Sequence, residues 1–293
     1  MLNPAAGKGA ARRRLHEITQ SFAAFGIVDI RETLRSGDEE RATLEAIAEG
    51  WTTIAVIGGD GTCSRVADAI VRSGADCALA VIRAGTGNDF AKMLGVAGYD
   101  HERLAALIAA GNTTAIDVGR IDGRHFVNSC GFGFDASVLE ASKRVRLLKG
   151  DAVYVYAALA QLFTYRGRTV AIDQDPASSH DQKLMVTVSN GRSLGGVFRI
   201  APHASVIDGQ LDVCVIRDAS VWQRVRLFAA AIRGTHETLA PVRAFRSAKL
   251  SLAFSSPPAI ELDGELTHAK RGTVTIECLP RALRVIAAPD ARL

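Results

Sequence analysis

One short turn has residue types that suit the handling of a phosphate group. It follows an apolar run, precedes a helix-like pattern, and consists of Gly58, Gly59, Asp60, Gly61 and Thr62. Glycines let backbone N–H groups approach a phosphate closely, and the start of a helix adds the positive end of its dipole. A carboxylate suits such a turn if Mg²⁺ and its waters lie between it and the phosphate. The turn predicts a magnesium–nucleotide site; the alternative is a strand-to-helix turn that needs glycine for its shape.

A second glycine-rich turn follows the next apolar run and contains Gly85, Thr86, Gly87, Asn88 and Asp89. In an alternating β/α pattern, two such turns lie side by side at the edge of a parallel sheet, where open α/β sheets bind ligands. We expect Thr86 to donate to a phosphate oxygen. Asp89 either joins Asp60 near the metal or caps the helix that follows.

Two carboxylates in the last part of the chain, Asp263 and Glu265, flank Gly264. A positioned carboxylate can take the proton of a hydroxyl nucleophile. In an extended strand the two side chains share a face, whereas Gly264 permits a turn that aims them differently. Asp-Gly between two apolar β runs is also an ordinary hairpin signal, so both interpretations stay open.

The composition limits the classes of protein to which this chain can belong. The 293 residues suit one large or two medium domains, and 48% of them are hydrophobic, which is enough for packed cores. The net charge of +4 is compatible with anionic lipids or nucleotides and does not indicate a nucleic-acid partner. Five scattered cysteines indicate reduced thiols in a cytoplasmic protein. No signal peptide is recognised, and the apolar run at 152–163 is too short to cross a bilayer.

The elements that must position these residues alternate between strand and helix in the first part of the chain. We predict a strand over 28–33, a helix opening near Ser36, an apolar strand before each glycine turn, and a helix over 100–110. Beyond Ile121 strands follow strands. The predicted domains are therefore an α/β domain at 1–121 and a β-rich domain at 122–293.

Two apolar helix patterns lie in the second part, over 154–163 and over Val221–Arg233. The second is predicted to turn five residues inward, namely Trp222, Val225, Phe228, Ala229 and Ile232. The segment before the first pattern is basic and contains Lys143, Arg144, Arg146 and Lys149. Such a segment either rests on anionic lipid or forms a solvated helix face.

Six sequence blocks, taken in order, resemble the motifs of bacterial lipid kinases of the diacylglycerol kinase catalytic-domain family, which are related to sphingosine and ceramide kinases. They are NPAAGKG from residue 3, GGDGT from 58, AGTGND from 84, FVNSCGFGFD from 126, the block over 190–212, and DGE from 263. The resemblance covers essentially the whole chain. It implies a phosphofructokinase-like and NAD-kinase-like α/β domain followed by a β-rich sandwich, with the final strand returning to the first domain.

The resemblance also implies ATP and Mg²⁺ as cofactors and a hydroxyl of diacylglycerol or a similar lipid as the phosphoryl acceptor. The nucleotide-binding residues that it implies are Asn3, Pro4, Gly7, Thr33, Gly58, Gly59, Asp60, Gly61, Thr62, Gly85, Thr86 and Asn88. In the DGE motif it assigns the proton acceptor to Glu265, with Asp263 as a supporting or alternative base.

Two metal sites are implied in the same way. Asp117 corresponds to a family aspartate in a metal–water network near the nucleotide, where it would join Asp60 and Asp89; the alternative for Asp117 is a residue of a strand-end turn. Asp208, with the carbonyl groups of Ser205 and Gln210, corresponds to the ligands of a structural magnesium ion.

The chain departs from the family pattern at Arg65, Arg83 and His203, where the family has glutamate, proline and frequently aspartate. Two other functions stay open: a kinase of a soluble hydroxyl compound such as NAD, and a nucleotide-binding module without catalysis. The expected partners are ATP and a lipid at a membrane surface, and a homodimer is compatible with the sequence. The expected location is the cytoplasm, with peripheral contact at the inner membrane surface.

Overall fold

The computed structural model of the chain describes residues 1–4, 6, 13–33, 35, 37–145, 151–174 and 181–293. The chain divides into two compact units, 1–117 together with 280–293, and 118–279. The second unit therefore ends earlier than the predicted range 122–293, because the C-terminal residues belong to the first unit. All five cysteines are buried. Every helix in the described ranges falls short of the length and apolarity needed to cross a membrane.

The first unit alternates helices with parallel strands. Its helices are α1 (Leu15–Ala23), α2 (Asp38–Ala48), α3 (Asp60–Ser73), α4 (Asp89–Met93) and α5 (His101–Ala110). Its strands are β1 (Thr53–Gly58), β2 (Ala78–Arg83) and the first part of β3 (Thr114–Ile121). β1 and β2 are parallel, with Gly58 opposite Arg83, so both strands end at the same edge of the sheet.

The prediction of a strand over 28–33 is wrong. This segment makes one isolated bridge, between Glu32 and Leu2, and Leu2 bridges Ile57 of β1 on its other side. The Leu2 N–H donates to the Arg31 carbonyl at 2.8 Å, and the Leu2 carbonyl accepts from the Thr33 N–H at 2.9 Å. The β-branched residues of the segment do not suffice for a regular strand, since Val28 at its start is exposed.

The second unit is a β-sandwich with helices on one outer face. Its strands after β3 are β4 (Arg124–Phe126), β5 (Ser129–Gly133), β6 (Arg168–Thr169), β7 (Ala171–Ile172), β8 (Gln182–Ser189), β9 (Leu211–Arg217), β10 (Val242–Ser247), β11 (Lys249–Ala253), β12 (Ala259–Leu262), β13 (Glu265–His268) and β14 (Thr273–Val285). One sheet has the order β10-β9-β8-β5-β12-β13, with β6 beside β8. Facing it, β11 pairs with β14 on one side and with β7 on the other.

In the sheet that contains β9, both faces of the central strands β5, β8, β9 and β12 are buried. Alternate residues of β9, such as Val213 and Val215, point into the core shared with the second sheet, where they join Leu252 and Ile276. The residues between them, such as Cys214, pack on the other side against helices α6 (Phe134–Ser142), α7 (Asp151–Thr164) and α8 (Val221–Arg233). This alternation follows from the two-residue period of a strand, and burial of both faces explains why the strands read as continuous apolar runs.

Strand β14 runs as one element from Thr273 to Val285, although Pro280, Arg281 and Arg284 interrupt its apolar pattern. Arg281 lies within it in the left-handed region, with φ of 51°. The residues before Pro280 pair with β11 in the second unit, and Arg284 and Val285 pair with β2 in the first. The polar interruption in the sequence is therefore a local irregularity of a single strand.

Helix α8 buries only part of the face predicted to point inward, where Phe228 packs against the core and Ala229 is half-buried. Trp222 is 83% exposed, and Val225 and Ile232 are also exposed, whereas Arg224 and Leu227 are buried. The Arg224 guanidinium explains the orientation, because it donates to the carbonyl groups of Leu162 at 3.0 Å, Tyr165 at 2.7 Å and Ala219 at 2.8 Å. It also bonds the Asp218 carboxylate at 2.6 Å. Burying this arginine leaves three of the residues predicted to face inward, Trp222, Val225 and Ile232, exposed.

The basic segment does not form the helix face considered above in its described part. Helix α6 ends at Ser142, and Lys143 and Arg144 lie in a turn. Arg144 is 3.5 Å from Glu140 of the same helix. Arg146 and Lys149 lie outside the described residues.

Candidate active site

The two glycine turns of the first unit are in direct contact. A Cβ atom built on Gly85 would lie 2.4 Å from the Cα atom of Gly59, and one built on Gly59 would lie 3.0 Å from the Cα atom of Gly85. A side chain at either position therefore overlaps with the opposite turn. The parallel pairing of β1 and β2 produces this contact, because it ends both strands at the same level. Glycine is required here for close approach.

The carboxylate of Asp60 links the two turns. Asp60 is the first residue of α3, and its Oδ1 accepts the backbone N–H of Phe90, in the first turn of α4, at 3.1 Å. The first turn of α3 also contains Gly61 and Thr62, and N–H groups in a first helical turn have no partner within the helix. These N–H groups and the dipole of α3 make this end of the helix favourable for an anion.

Asn88 closes its own turn. Its side-chain amide donates to the Gly85 carbonyl at 3.0 Å, and its Oδ1 accepts the Gly85 N–H at 3.0 Å. Asn88 has φ of 50°, a left-handed conformation that asparagine tolerates. Its amide therefore shapes the turn, while Thr86 between these residues is exposed. Thr86 is the side chain of this turn that is placed to reach a ligand.

The N-terminal segment attaches to the first glycine turn. The Asn3 side-chain amide donates to the hydroxyl of Thr62 at 2.9 Å. Thr62 is buried, and a Cβ atom on Gly58 would lie 2.7 Å from the Cβ of Thr62, so this residue packs tightly as well. Thr33 is buried and its hydroxyl bonds the Leu2 carbonyl at 3.4 Å. Pro4 is half-buried, and Gly7 lies outside the described residues.

The structure gives the three predicted metal carboxylates of the first unit different surroundings. Asp89 is buried and accepts from the Lys92 ammonium at 3.1 Å. Asp117 is also buried, and its Oδ1 accepts the Arg281 N–H at 2.8 Å. Across the described ranges, no three or more His, Cys, Asp or Glu side chains are grouped as metal ligands. Of the three aspartates, only Asp60 is half-buried, and it lies on the first glycine turn.

Arg65, a departure from the family pattern, has an acidic partner. Its Nη1 lies 3.3 Å from Oε2 of Glu39, which is buried on α2. The same Oε2 accepts the Gly37 N–H at 2.9 Å. The positive charge of Arg65 is therefore neutralised within the unit. Arg83, the second departure, is exposed at the end of β2.

In the second unit, Asp263 and Gly264 form the two-residue turn of the β12–β13 hairpin. Leu262 pairs with Glu265 across it. Asp263 has φ of 47° and Gly264 of 86°, which matches the mirror-image turn that tight hairpins favour. The hairpin interpretation of this motif is therefore confirmed, and it does not exclude a chemical role for either carboxylate.

The two carboxylates of the hairpin differ sharply in their surroundings. Asp263 is 3% exposed, and its carboxylate accepts the backbone N–H groups of Val127 at 2.9 Å, Asn128 at 2.8 Å and Ser129 at 2.9 Å. These bonds join the hairpin to the start of β5. Glu265 is half-buried at the start of β13. The geometry thus favours a structural role for Asp263 and leaves Glu265 as the carboxylate able to meet a substrate.

Another buried carboxylate, Asp135, lies in the first turn of α6. It accepts a hydrogen bond from the Thr187 hydroxyl on β8, and a Cβ atom on Gly131 would lie 2.4 Å from its Oδ2. Burial raises the pKa of Asp135 to about 7, although the Thr187 hydrogen bond acts in the opposite direction. Sequence reasoning gave this residue no role of its own. The signal for it in the sequence was its position as the aspartate that ends an otherwise apolar and glycine-rich motif.

An apolar cavity lies among the three helices of the second unit. Its walls come from the inner faces of all three, including Val138 of α6, Ala158 and Leu162 of α7, and Leu227 of α8. Asp135 and Arg224 are ionisable residues in its wall. Its volume of about 60 Å³ holds only a segment of an acyl chain. Strand β5 pairs with β12 of the Glu265 hairpin and runs directly into α6, which lines the cavity. The same strand therefore positions both the hairpin and one wall of the cavity.

The predicted structural metal site contains acceptor groups around one arginine. Asp208 Oδ1 accepts the Gln210 N–H at 3.0 Å, and its Oδ2 lies 3.6 Å from Arg246 Nη1. Arg246 Nε is 3.4 Å from Asp212 Oδ1, and Asp212 Oδ2 is buried without a hydrogen-bond partner among the described residues. Burial raises the pKa of Asp212, with contributions from Asp208 and Glu237, while Arg246 lowers it. Carboxylate oxygens are preferred ligands of a hard cation, but the Arg246 guanidinium already pairs with both carboxylates here.

Comparison with known proteins agrees with this architecture. Residues 1–121 match the diacylglycerol kinase catalytic domain, and residues 128–287 match the YegS C-terminal NAD kinase beta sandwich-like domain. A diacylglycerol kinase of Mycobacterium tuberculosis is 30% identical over 294 residues, covering 98% of this chain and 93% of that protein. A Bacillus subtilis diacylglycerol kinase is 26% identical, covering 90% and 88% of the two chains.

Two further relatives extend the comparison. A Xanthomonas euvesicatoria protein named probable lipid kinase YegS-like is 30% identical, covering 95% of this chain and 93% of that protein. The crystal structure of a diacylglycerol kinase from Bacillus anthracis shares the fold, with a TM-score of 0.74 at 24% identity, covering 99% and 96% of the chains. The chain therefore belongs to the bacterial diacylglycerol kinase and YegS-like lipid kinase family.

Proposed function

We propose that the protein transfers the γ-phosphoryl group of ATP to a hydroxyl group of diacylglycerol or a similar lipid, in a Mg²⁺-dependent reaction. The observation that carries the proposal is the contact between the Gly59 and Gly85 turns, across which the Asp60 carboxylate bonds the Phe90 N–H. This arrangement gathers backbone donors, a threonine hydroxyl and one carboxylate at the end of two parallel strands. Family membership supports the lipid as the acceptor.

The proposed nucleotide site lies on the first unit. The N–H groups in the first turn of α3, the exposed hydroxyl of Thr86 and the dipole of α3 bind phosphate oxygens. Asp60 would hold Mg²⁺ through water, as a single carboxylate commonly does when phosphates supply further ligands. When bound, the ion neutralises charge on the phosphate oxygens. Asn88 closes the second glycine turn through its bonds to Gly85, and Asn3 binds the Thr62 hydroxyl of the first.

The proposed proton acceptor is Glu265. As the lipid hydroxyl oxygen forms its bond to the γ-phosphorus, the bond from that phosphorus to the bridging oxygen of ADP breaks, and the hydroxyl proton passes to the Glu265 carboxylate. Asp263 anchors the hairpin through its three backbone hydrogen bonds and so fixes the start of β13. In this assignment Asp263 is a positioning residue.

The apolar cavity among α6, α7 and α8 supports a lipid as the acceptor. Its wall is mostly Val, Ala, Leu and Phe side chains, with Asp135 and Arg224 among them, and such a wall suits a segment of an acyl chain better than a polar compound such as NAD. We assign this cavity to a segment of the acyl chain. The homodimer and the contact with a membrane surface remain predictions at this point.

The test is transfer of label from γ-³²P-ATP to a panel of acceptors with identification of the product. The panel contains diacylglycerol, ceramide and sphingosine in mixed micelles, together with NAD as a soluble acceptor. We expect a labelled lipid product that disappears with excess chelator. Label on NAD, or ATP binding without transfer to any lipid, would contradict the proposal and favour one of the two alternative functions.

A further inference from the structure

Helix α7 is almost wholly apolar, yet one of its faces is exposed. From Ala152 to Thr164 the helix contains no charged residue. Tyr156 is 55% exposed, Leu159 41% and Phe163 63%, and these positions recur on one side of a helix. A helix that is hydrophobic all round is normally buried in a protein core or in lipid. The outer side of α7 is therefore unusual for a surface in water.

Helix α8 extends this exposed apolar surface. Trp222 and Val225 are exposed near its start, and Arg224 between them bonds the carbonyl groups of Leu162 and Tyr165 at the end of α7. These bonds hold the start of α8 beside the end of α7. We call the exposed side chains of Tyr156, Leu159, Phe163, Trp222 and Val225 the outer face.

Arginines accompany the outer face. Arg226 and Arg233 are exposed on α8, and Arg166 and Arg168 are exposed just after α7. Within the described ranges, none of these four forms an ion pair with a carboxylate. Helix α8 itself contains no acidic residue, and Asp218 before it is bound to Arg224. The surface thus combines apolar and aromatic side chains with positive charge.

We infer that the outer face docks onto the surface of an anionic lipid bilayer. Apolar and aromatic side chains enter the headgroup boundary, where Trp and Tyr are favoured, while arginines attract anionic lipids. The inner sides of the same two helices line the apolar cavity through Ala158, Leu162 and Leu227. Docking would therefore bring the cavity wall to the leaflet that contains the lipid. The role of docking in catalysis rests on the proposed function, whereas the binding of the outer face to a membrane does not.

A second copy of the chain fits this surface less well. In a two-fold symmetric dimer the same patch faces its own copy, so both partners would bring these arginines into the interface. Like charges brought together in an interface oppose association. An anionic membrane complements the same charges, and we therefore commit to the membrane as the occupant.

Tryptophan fluorescence tests the docking directly. The chain contains two tryptophans, Trp51 and Trp222. The Trp51→Phe variant leaves Trp222 as the reporter on the outer face. The Trp222→Phe variant leaves Trp51, which is 47% exposed on the first unit, as the matched control. Vesicles of phosphatidylcholine, with and without phosphatidylglycerol, carry brominated acyl chains as quenchers.

We expect the Trp222 reporter to shift to shorter wavelength and to be quenched with phosphatidylglycerol-containing vesicles, and the Trp51 reporter to keep its spectrum. An unchanged Trp222 spectrum, or equal quenching of both reporters, would overturn the inference. Because neither measurement needs ATP, the outcome does not depend on turnover.

Exposed substitutions provide a second measurement that does not endanger the fold. In the Leu159→Ser/Phe163→Ser variant we expect the vesicle-bound fraction to fall about tenfold, since lost apolar burial weakens interfacial binding. Val28→Ser, an exposed apolar residue of the first unit, is the control and should leave binding unchanged. Unchanged binding in the double variant would contradict the inference, as would a concentration-dependent dimer that the double variant dissociates in the absence of lipid.

Activity on two forms of one substrate separates this inference from the proposed function. A short-chain diacylglycerol dispersed in water needs no docking, whereas a long-chain one in anionic vesicles does. We expect the double variant to lose activity on vesicles and to keep it on the dispersed substrate. If the wild-type protein binds vesicles through Trp222 yet phosphorylates neither form, the proposed function fails and the docking surface stands. Equal loss on both forms would overturn the assignment of these residues to docking.

Discussion

The Asp60 carboxylate and the Phe90 backbone N–H, which are thirty positions apart in the chain, lie 3.1 Å apart. The bond joins the first turn of α3 to the first turn of α4. It uses Oδ1 of the carboxylate. The two glycine turns are therefore held together both by the Gly59–Gly85 contact and by this side chain.

The first prediction uses this bond. Asp60→Asn keeps an oxygen to accept the Phe90 N–H but removes the negative charge proposed to act through Mg²⁺. We expect turnover to fall about 10²–10³-fold, the usual loss when one electrostatic contribution to a transition state is removed. The melting temperature should change little. Asp68→Asn on the same helix removes a surface ion pair with Arg72 and is the control, which should stay near wild-type activity. Full activity in Asp60→Asn would remove Asp60 from the proposed site.

The second prediction concerns the contact between the turns. A methyl group on Gly85 would lie 2.4 Å from the Cα atom of Gly59, so Gly85→Ala must push the turns apart. We expect a loss of about 1–3 kcal/mol in the free energy of unfolding and weaker ATP binding, measured by denaturation and calorimetry. Gly98→Ala is the matched control because a Cβ there has no neighbour within 4 Å. Wild-type ATP affinity in Gly85→Ala would show that the contact has no part in nucleotide binding.

The third prediction separates the two carboxylates of the hairpin. Glu265→Gln cannot take a proton, so turnover should fall about 10²–10⁴-fold at nearly unchanged stability and ATP affinity. Asp263→Asn faces an amide toward three backbone N–H groups and should cost about 1–3 kcal/mol of stability. Turnover is compared per folded molecule in one assay. Loss of turnover confined to Asp263→Asn would identify that residue as the base, and retention in both variants would make the motif structural.

The fourth prediction follows from the Asp135 pKa of about 7. An unfolded aspartate has a pKa near 3.9, so between about pH 4 and pH 7 the folded protein holds a proton that the unfolded chain has released. The contribution of Asp135 to stability is therefore complete below this window and is lost as the pH rises through it. The slope is up to about 1.4 kcal/mol per pH unit.

Asp135→Asn tests this directly, because asparagine does not titrate and can still accept from the Thr187 hydroxyl. The free energy of unfolding of both proteins is measured from pH 5 to pH 8. We expect the difference, wild type minus variant, to decrease with rising pH. A difference that is constant across this range would show that Asp135 is ionised throughout.

The fifth prediction concerns the two carboxylates beside Arg246, those of Asp208 and Asp212. If Asp208 and its neighbours bind a structural Mg²⁺, adding Mg²⁺ without ATP should raise the melting temperature of the wild-type protein, because a ligand that binds the folded state stabilises it. Asp208→Asn should abolish this increase, and Asp60→Asn should retain it. No increase in the wild type, or the same increase in Asp208→Asn, would exclude this site.

Sequence patterns predicted the parts of the site that are local. Each glycine turn lies within a few residues of the strand and helix that support it. The order of strand, turn and helix could therefore be predicted for the first turn from residues 58–62 and their neighbours alone. The hydrogen-bond partners of Asp263 could not be predicted from the sequence, because its three N–H donors lie more than a hundred residues earlier, at 127–129. The structure also pairs Arg65 with Glu39, two positions whose helices are separate in sequence.

The predicted inward face of α8 was wrong at Trp222, Val225 and Ile232 for a physical reason. Helical periodicity assumes that apolar residues face inward, but the Arg224 guanidinium finds four acceptors at the end of α7 and before α8. Satisfying that buried charge outweighs the burial of Trp222 and Val225. A periodic pattern reports which residues share a face, and it does not report which of two faces is covered.

The crossing of β14 between the units has a consequence for synthesis of the chain. Val285 pairs with Leu79 of β2, the Ile286 N–H donates to the Leu79 carbonyl at 3.0 Å, and the Ala288 N–H donates to the Leu94 carbonyl at 2.9 Å. All of these partners are translated long before residues 284–288. A nascent chain that has reached residue 279 has made the whole second unit but still exposes an unpaired edge of β2, which is a hazard for association. The unit that contains both glycine turns is thus begun first on the ribosome and completed last.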